Sequence, residues 1–264
     1  MDEHEQGQLM EADELQTLLR EVADEASALL ATVADRMAPG ERDGQYNLDL
    51  VVDGPVVQKL QAAGLGVLSE EAGELDLDWP LVAVIDPVDG STNASLHLPW
   101  YAFSVCVVDA DGPRQSLVRN LATGEQYEAI RGGGATHNGS AMSPVEPVAL
   151  DTSVVAVNDV PPPGGPWAQF RSLGASALDM CAVARGGFAA YVDFAVEAHG
   201  VWDYLGALLV CREVGLEMVD VYGRDLVVLD HTARRTPVLA RPAHLDELVM
   251  LRLEQDGGYA EELE

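Results

Sequence analysis

The sequence predicts an α/β fold built as a single domain of two intimate halves, and three observations lead there. With 264 residues and 48% hydrophobic content, the chain is long enough to bury a sizeable core. Apolar residues at helical spacing alternate along it with short β-rich runs that stop at Gly, Pro and Asp. The stretch 142–151, with Pro144 and Pro147, reads as the seam between an N-terminal half, 1–145, and a C-terminal half, 146–264.

Taken in order, Leu15, Leu18, Leu19, Val22, Ala26, Leu29, Leu30 and Val33 predict a long amphipathic helix ending near Pro39-Gly40. Asp53 reads as the cap of a second helix, with Pro55 in its first turn and Gly64 just past its end. Residues 65–68 predict a short strand running into Ser69-Glu70-Glu71. Residues 81–85 predict a buried strand that stops at Asp86-Pro87. A hairpin is expected from 103–108 and 115–118 around Asp109-Ala110-Asp111-Gly112, then a strand at 126–130 before Gly132-Gly133-Gly134. Beyond a loop at 161–166, helices at 175–185, at 203–214 and from Ala243 alternate with strands near 188–194, 218–221 and 238–240.

Composition narrows the partners. A formal net charge of −29 argues against nucleic acid and anionic lipid, since long-range attraction would have the wrong sign. The acidity gathers at the ends, from Asp2, Glu3, Glu5, Glu11, Asp13 and Glu14 to Glu254, Asp256, Glu261, Glu262 and Glu264, as a solvated surface would. No apolar run approaches the roughly 20 residues of a membrane span. The opening Met1-Asp2-Glu3-His4-Glu5 has neither a basic nor an apolar leader segment, so a cytoplasmic protein is expected. Cys106, Cys181 and Cys211 lie in apolar stretches without a C-x-x-C pair and read as buried thiols.

The chemistry concentrates in Asp86-Pro87-Val88-Asp89-Gly90-Ser91-Thr92-Asn93. A buried strand delivers two carboxylates and a Gly-Ser-Thr turn to its C-terminal end, where open α/β sheets place ligands. Pro87 turns the chain so that Asp86 and Asp89 can face one site. Hard divalent cations such as Mg²⁺ take oxygen ligands and share them with substrate phosphate. If a helix starts near Ser91, the amides of Gly90, Ser91 and Thr92 make an anion cradle beside those carboxylates.

Four features in order and spacing resemble the inositol monophosphatase family across residues 45–220. Residues 85–93 resemble its first signature almost residue for residue. Trp202-Asp203-Tyr204-Leu205-Gly206-Ala207-Leu208-Leu209, followed by Glu213-Val214-Gly215, resembles its second. Ser69-Glu70-Glu71 is similar to its acidic pair, and Gly133-Gly134-Ala135 with Asn138-Gly139 to its mid-chain hairpin. Arg171-Ser172-Leu173-Gly174 resembles the opening of its second half. The resemblance implies a layered α-β-α-β-α sandwich, a homodimer, and Mg²⁺-dependent hydrolysis of a small phosphorylated metabolite. It makes Glu70, Asp86, Asp89, Asp203 and the Val88 carbonyl ligands of two or three Mg²⁺ ions. Ser91, with Glu70 and a supporting residue, would orient the attacking water, and Gly90, Ser91 and Thr92 would hold phosphate. A catalytically silent, regulatory member of the family is the alternative.

The chain departs from the family pattern twice. The residue supporting the hydroxyl group aligns with Asn47 without a gap and with Asp49 after a two-residue gap; Leu50-Val51 favours Asp49. Where inositol-selective members carry a glutamate seven residues before the second-signature aspartate, this chain has Val196, with Glu197 beside it. Histidinol phosphate, fructose bisphosphate and a phosphoadenosine nucleotide therefore stand beside inositol phosphate as substrates. His199 could contact substrate, whereas His97 and Trp100 read as loop and packing residues.

Overall fold

The computed structural model describes residues 10–261 apart from 43, 145 and 147. Asp2, Glu3, Glu5, Glu262 and Glu264 of the acidic ends lie outside these residues, while Glu11, Asp13, Glu14 and Glu254 are exposed. The first half gives α1 (Ala12–Thr32), α2 (Asn47–Ala62), β1 (Gly66–Ser69), β2 (Gly73–Leu75), β3 (Val82–Asp89) and α3 (Ser91–Ser95). It continues with β4 (Ala102–Asp109), β5 (Gly112–Asn120), β6 (Gln126–Ile130), β7 (Gly134–His137) and β8 (Ser140–Ala141). The second half gives β9 (Val154–Asn158), β10 (Gln169–Arg171), α4 (Ser176–Ala184), β11 (Ala190–Asp193), α5 (Trp202–Glu213), β12 (Glu217–Asp220), β13 (Pro237–Ala240) and α6 (Pro242–Glu261).

Two sheets result. The first has eight strands in the order β2-β1-β3-β4-β5-β6-β7-β8, antiparallel except for the β1–β3 pair. The second has five, β10-β9-β11-β13-β12, in which β9 runs parallel to β10 and β11. The first sheet ends at Ala141 and the second begins at Val154, and the expected seam, 142–151, falls between them.

The two-residue period of a strand explains the layering. On β4, Phe103, Val105 and Val107 join the cluster with Leu15, Leu19 and Val22 of α1 and Val52 and Val56 of α2. The alternate residues Ala102, Cys106 and Val108 join Leu178 and Met180 of α4 and Tyr204, Leu205 and Leu208 of α5. On β11 and β13 the same alternation sends Val192 and Val238 to α6, around Leu245 and Leu248, while Tyr191 and Leu239 face α4 and α5. Both sheets are thus covered on both faces, which accounts for the nearly unbroken apolar runs of β3 and β4. The order is helix, sheet, helix, sheet, helix, the α-β-α-β-α sandwich.

The α1 stripe Leu15, Leu19, Val22, Ala26 and Leu30 is buried. Each Leu or Val there stabilises the packing by about 1.5–3 kcal/mol relative to exposure. The three cysteines are free and buried.

Three expectations need correction. The first helix ends at Thr32, well before Pro39-Gly40. The second helix begins at Asn47, not at an Asp53 cap; Asp53 and Pro55 lie inside it. Its true start is held by Asp49, whose Oδ2 accepts the Tyr46 amide at 3.1 Å. The strand expected to stop at Asp86-Pro87 runs to Asp89. Pairing with β4 carries it on, with Asp86 opposite Ser104 and Asp89 opposite Ala102, so one extra residue bulges out on β3. Pro87 sits in that bulge, where a missing N–H breaks no regular ladder. The short strands β2, β7, β8, β9 and β10 were not singled out from the sequence, and too few alternating positions explain it for most of them.

Gly206 lets α5 lie against the first sheet. A Cβ there would stand 2.4 Å from Ser104 Oγ and 3.1 Å from Val118 Cγ2. Gly206→Val is expected to lower the unfolding free energy by about 1–3 kcal/mol through overpacking. Urea denaturation checks this, and an unchanged midpoint would show that α5 has room the packing denies.

Candidate metal centre

The site forms where β1 and β3 end side by side. These strands are parallel, with Ser69 opposite Ile85. The next residues, Glu70 and Asp86, therefore emerge together, and the Glu70 amide donates to Ile85 O at 3.2 Å. The bulge after Asp86 brings Asp89 back to the same side, and Asp203 arrives from the first turn of α5. Asp86, Asp89 and Asp203 each offer a carboxylate oxygen such that these atoms lie within 4.8 Å of one another.

Each carboxylate is aimed by backbone donors. Asp86 Oδ1 accepts the Val88 amide at 3.0 Å. Asp89 accepts the Ser176 amide at 3.2 Å through Oδ1 and the Ala177 amide at 2.8 Å through Oδ2. Those amides open α4, whose own cap position is Ala175 and offers no side-chain acceptor, so Asp89 caps it from the other half of the chain. Asp203 Oδ2 accepts the Gly200 amide at 2.8 Å.

Clustering changes the acids. Burial, then the charges of Glu70, Asp89 and Asp203, hold the Asp86 carboxyl well above the usual carboxylate range. Burial and Asp203 raise Asp89 to about 7. Glu70 is raised well above normal by burial, Asp203, Glu71 and Asp49. The donor set is all oxygen and closely spaced, which fits hard cations such as Mg²⁺ and suits soft ones poorly.

The other expected residues fall into place unevenly. Gly90 has φ 82°, and a Cβ on it would stand 2.8 Å from Gly174 O, so only glycine fits there. Ser91 opens the short helix α3, whose first amides have no partner within their own helix. Thr92 lies in the first turn of α3. Val88 is buried beside Asp86. Asp49, not Asn47, belongs with the cluster: Asn47 is exposed, whereas Asp49 is buried and its charge raises both Glu70 and Asp86. Burial above all lifts Asp49 itself to about 7. Neither residue hydrogen-bonds Ser91 among the described residues. Glu71 turns away and pairs with Arg42 and Gln45. Glu197, at φ 47°, is held in an ion pair by Arg224, which Asp220 anchors at 2.8 Å; the structure does not bring it into the acidic cluster.

Several contacts are not foreseen by the sequence. Asn93 Nδ2 donates to Trp100 O at 2.8 Å and Leu173 O at 2.6 Å, fastening the signature to the second half. Trp100, read as packing, also donates Nε1 to buried Asp179 at 2.8 Å. Glu213 accepts the amides of Gly132 and Gly134, each at 2.8 Å, which explains the glycine turn. His231 reaches Glu70 O at 3.0 Å and tilts against Trp202 with ring centroids 4.8 Å apart. A lone histidine distant in sequence gives no local signal of such a contact. His199 is buried against Asp203 and Tyr191. Burial disfavours its charged form, but the bond to Asp203 and the charges of Asp193, Asp203 and Asp89 outweigh this and raise it to about 9.

Fold and site together define a layered α/β protein with an acidic cluster, able to hold a cation, at the ends of two parallel strands. The sequence profile of the Inositol monophosphatase family matches residues 8–255, and the chain belongs to that family. It is similar to a fructose-1,6-bisphosphatase/inositol-1-monophosphatase of Methanothermobacter thermautotrophicus, 32% identical over 231 residues, covering 78% of this chain and 82% of the relative. It also resembles the Nus factor SuhB of Escherichia coli strain K12, 27% identical over 201 residues, 70% of this chain and 74% of SuhB. Among solved structures, a Pyrococcus horikoshii protein described as similar to inositol-1 monophosphatase superposes with a TM-score of 0.76 at 23% identity. That match covers 91% of this chain and 95% of the other. No helix among the described residues is long and apolar enough to cross a membrane.

The raised carboxyls give a signed pH dependence. A buried acid with a raised folded value destabilises the fold once pH exceeds its unfolded value of about 4. Without metal, stability should therefore fall between about pH 4 and the folded value of about 7 at Asp89. Mg²⁺ competes with those protons. Millimolar Mg²⁺ is accordingly expected to raise the melting temperature strongly at pH 8 and little at pH 5. Equal shifts at the two pH values in a thermal melt would refute the site.

Proposed function

We propose that this protein is a Mg²⁺-dependent phosphomonoesterase acting on a small polyol, sugar or related metabolite phosphate. The observation that carries this is the all-oxygen cluster of Asp86, Asp89 and Asp203 with Glu70 beside it. Two or three Mg²⁺ ions held by these residues and the Val88 carbonyl would supply charge neutralisation and activation of water. The chain's own groups would do the rest. Ser91, with Asp49 and Glu70 nearby, orients the attacking water. The amides of Gly90, Ser91 and Thr92 hold the phosphoryl oxygens and stabilise their developing charge. The same reading takes residues 1–264 as one catalytic unit, dimeric and cytoplasmic. Similarity to SuhB supports a second reading, a regulatory member without turnover.

Asp86→Asn tests the centre, and the wild-type assay separates the two readings. It is expected to cut phosphate release by roughly a hundredfold or more, about 2.7 kcal/mol of transition-state stabilisation, at saturating Mg²⁺. Near-normal turnover in that variant would remove Asp86 from the centre, and a wild type with no Mg²⁺-dependent phosphatase activity on any ester would favour the regulatory reading.

Substrate choice follows from residues 196 and 197. Val196 is 68% exposed and cannot accept a hydroxyl's hydrogen bond, and Glu197 is engaged by Arg224. A hydrogen bond from a polyol hydroxyl to a free carboxylate would contribute about 1.5–3 kcal/mol, and neither residue supplies it here. Another small ester should thus exceed myo-inositol 1-phosphate in kcat/KM by roughly tenfold, the equivalent of about 1.4 kcal/mol. A panel led by inositol 1-phosphate would mean that Glu197 leaves Arg224 for the substrate, and Glu197→Gln would then abolish that preference alone.

A further inference from the structure

Asp203 reaches the acidic cluster from the second half of the chain, and its carboxylate is held by a side chain as well as by backbone. Besides the Gly200 amide, Asp203 Oδ2 has His199 Nδ1 at 3.3 Å. His199 is only 7% exposed and is itself held from behind. Its Nε2 lies 2.8 Å from the Tyr191 hydroxyl and 3.7 Å from Asp193 Oδ2. Both partners stand on β11 in the second sheet.

The network has a further tier. Asp193 is fully buried, and its Oδ1 accepts Asn158 Nδ2 at 3.0 Å and the Ala195 amide at 2.9 Å. Its Oδ2 has no hydrogen-bond partner among the described residues and lies 3.7 Å from His199 Nε2. Fully buried Arg252 of α6 donates Nε to Asp193 O at 2.8 Å and Nη2 to Ala195 O at 3.2 Å, pinning the strand end that leads to His199.

An ionised carboxylate only accepts hydrogen bonds, so His199 Nδ1 must be the donor to Asp203. Asp203 faces two other carboxylates, whose repulsion would swing it away unless a donor fixes it. We propose that His199 is a positioning residue that holds Asp203 towards Asp86 and Asp89, with Tyr191 and Asp193 fixing the ring. The second sheet and α6 then contribute to cation affinity without touching the cation. Groups that orient ligating carboxylates commonly account for about 10–100-fold in metal affinity.

The inference rests on the metal-centre reading, and calorimetric Mg²⁺ titration of the full-length protein tests the two separately. His199→Ala is expected to bind Mg²⁺ about 10–100-fold more weakly than wild type. His199→Asn places an amide nitrogen near the position of Nδ1 and should recover most of that loss. His199→Gln places its amide near Nε2 and should not. Melting without metal and near-ultraviolet circular dichroism follow the fold in each, and if the alanine variant does not fold, the Asn and Gln pair decides. Wild-type affinity in His199→Ala, or equal losses in Asn and Gln, would overturn the positioning role while leaving the metal centre standing. Absence of Mg²⁺ binding by the wild type, with Asp203→Asn as reference, would overturn the metal centre and this inference together.

Discussion

The constraint on which this structure depends is the confinement of Glu70, Asp86, Asp89 and Asp203 in one buried place. Burial and mutual repulsion both oppose it, and together they hold the Asp86 carboxyl well above its ordinary range. The fold counters them with fixed dipoles. Amides of Val88, Ser176, Ala177 and Gly200 are aimed at the carboxylates. Those amides come from a strand bulge, a helix start and a loop, so three distant parts of the chain must be correctly placed before the acids can be. What remains of the repulsion is what makes the site take up protons or cations.

The middle layer does most of the placing. Helices α4 and α5 lie between the sheets, and each brings its first turn to the end of β3. At α4 the traffic is reversed: Asp89 belongs to the first half and satisfies amides of the second. Gly90 follows at once, close enough to Gly174 O that no side chain fits, and Asn93 grips Leu173 O. The first signature is therefore a junction between halves as much as a run of clustered acids. Rigid attachment of this kind suits phosphoryl chemistry, where positioning and electrostatics supply nearly all of the catalysis.

The charge of the whole molecule matters less at this site than the local field. A protein of net charge −29 repels anions at long range, and its acidic cluster would repel phosphate at short range too. Divalent ions held there would invert the local field and admit an anionic ester. Around the centre, the chain keeps its basic groups close to carboxylates or carbonyls, as Arg42 with Glu71 and Arg224 with Asp220 and Glu197 show.

The sequence by itself determined the helical stripe of α1, the buried strands around the first hairpin, and the acids that meet at the centre. These are local signals: apolar periodicity reports burial, and a run such as residues 85–93 packs its chemistry into consecutive positions. Its resemblance to a known family carried Glu70 and Asp203 onto the same site. Tertiary structure decided the rest. Only the pairing of β3 with β4 shows that Pro87 lies in a bulge within a strand and does not end it. Only the packing of α2 shows that Asp49 is buried beside the cluster while Asn47 faces solvent. Contacts such as Asp89 with the start of α4, His231 with Glu70, and His199 with Asp193 join residues whose neighbours in sequence give no hint of them. They exist because sheets and helices built from separate segments close over one another, and sequence spacing does not encode which side chains that closure brings within hydrogen-bonding distance.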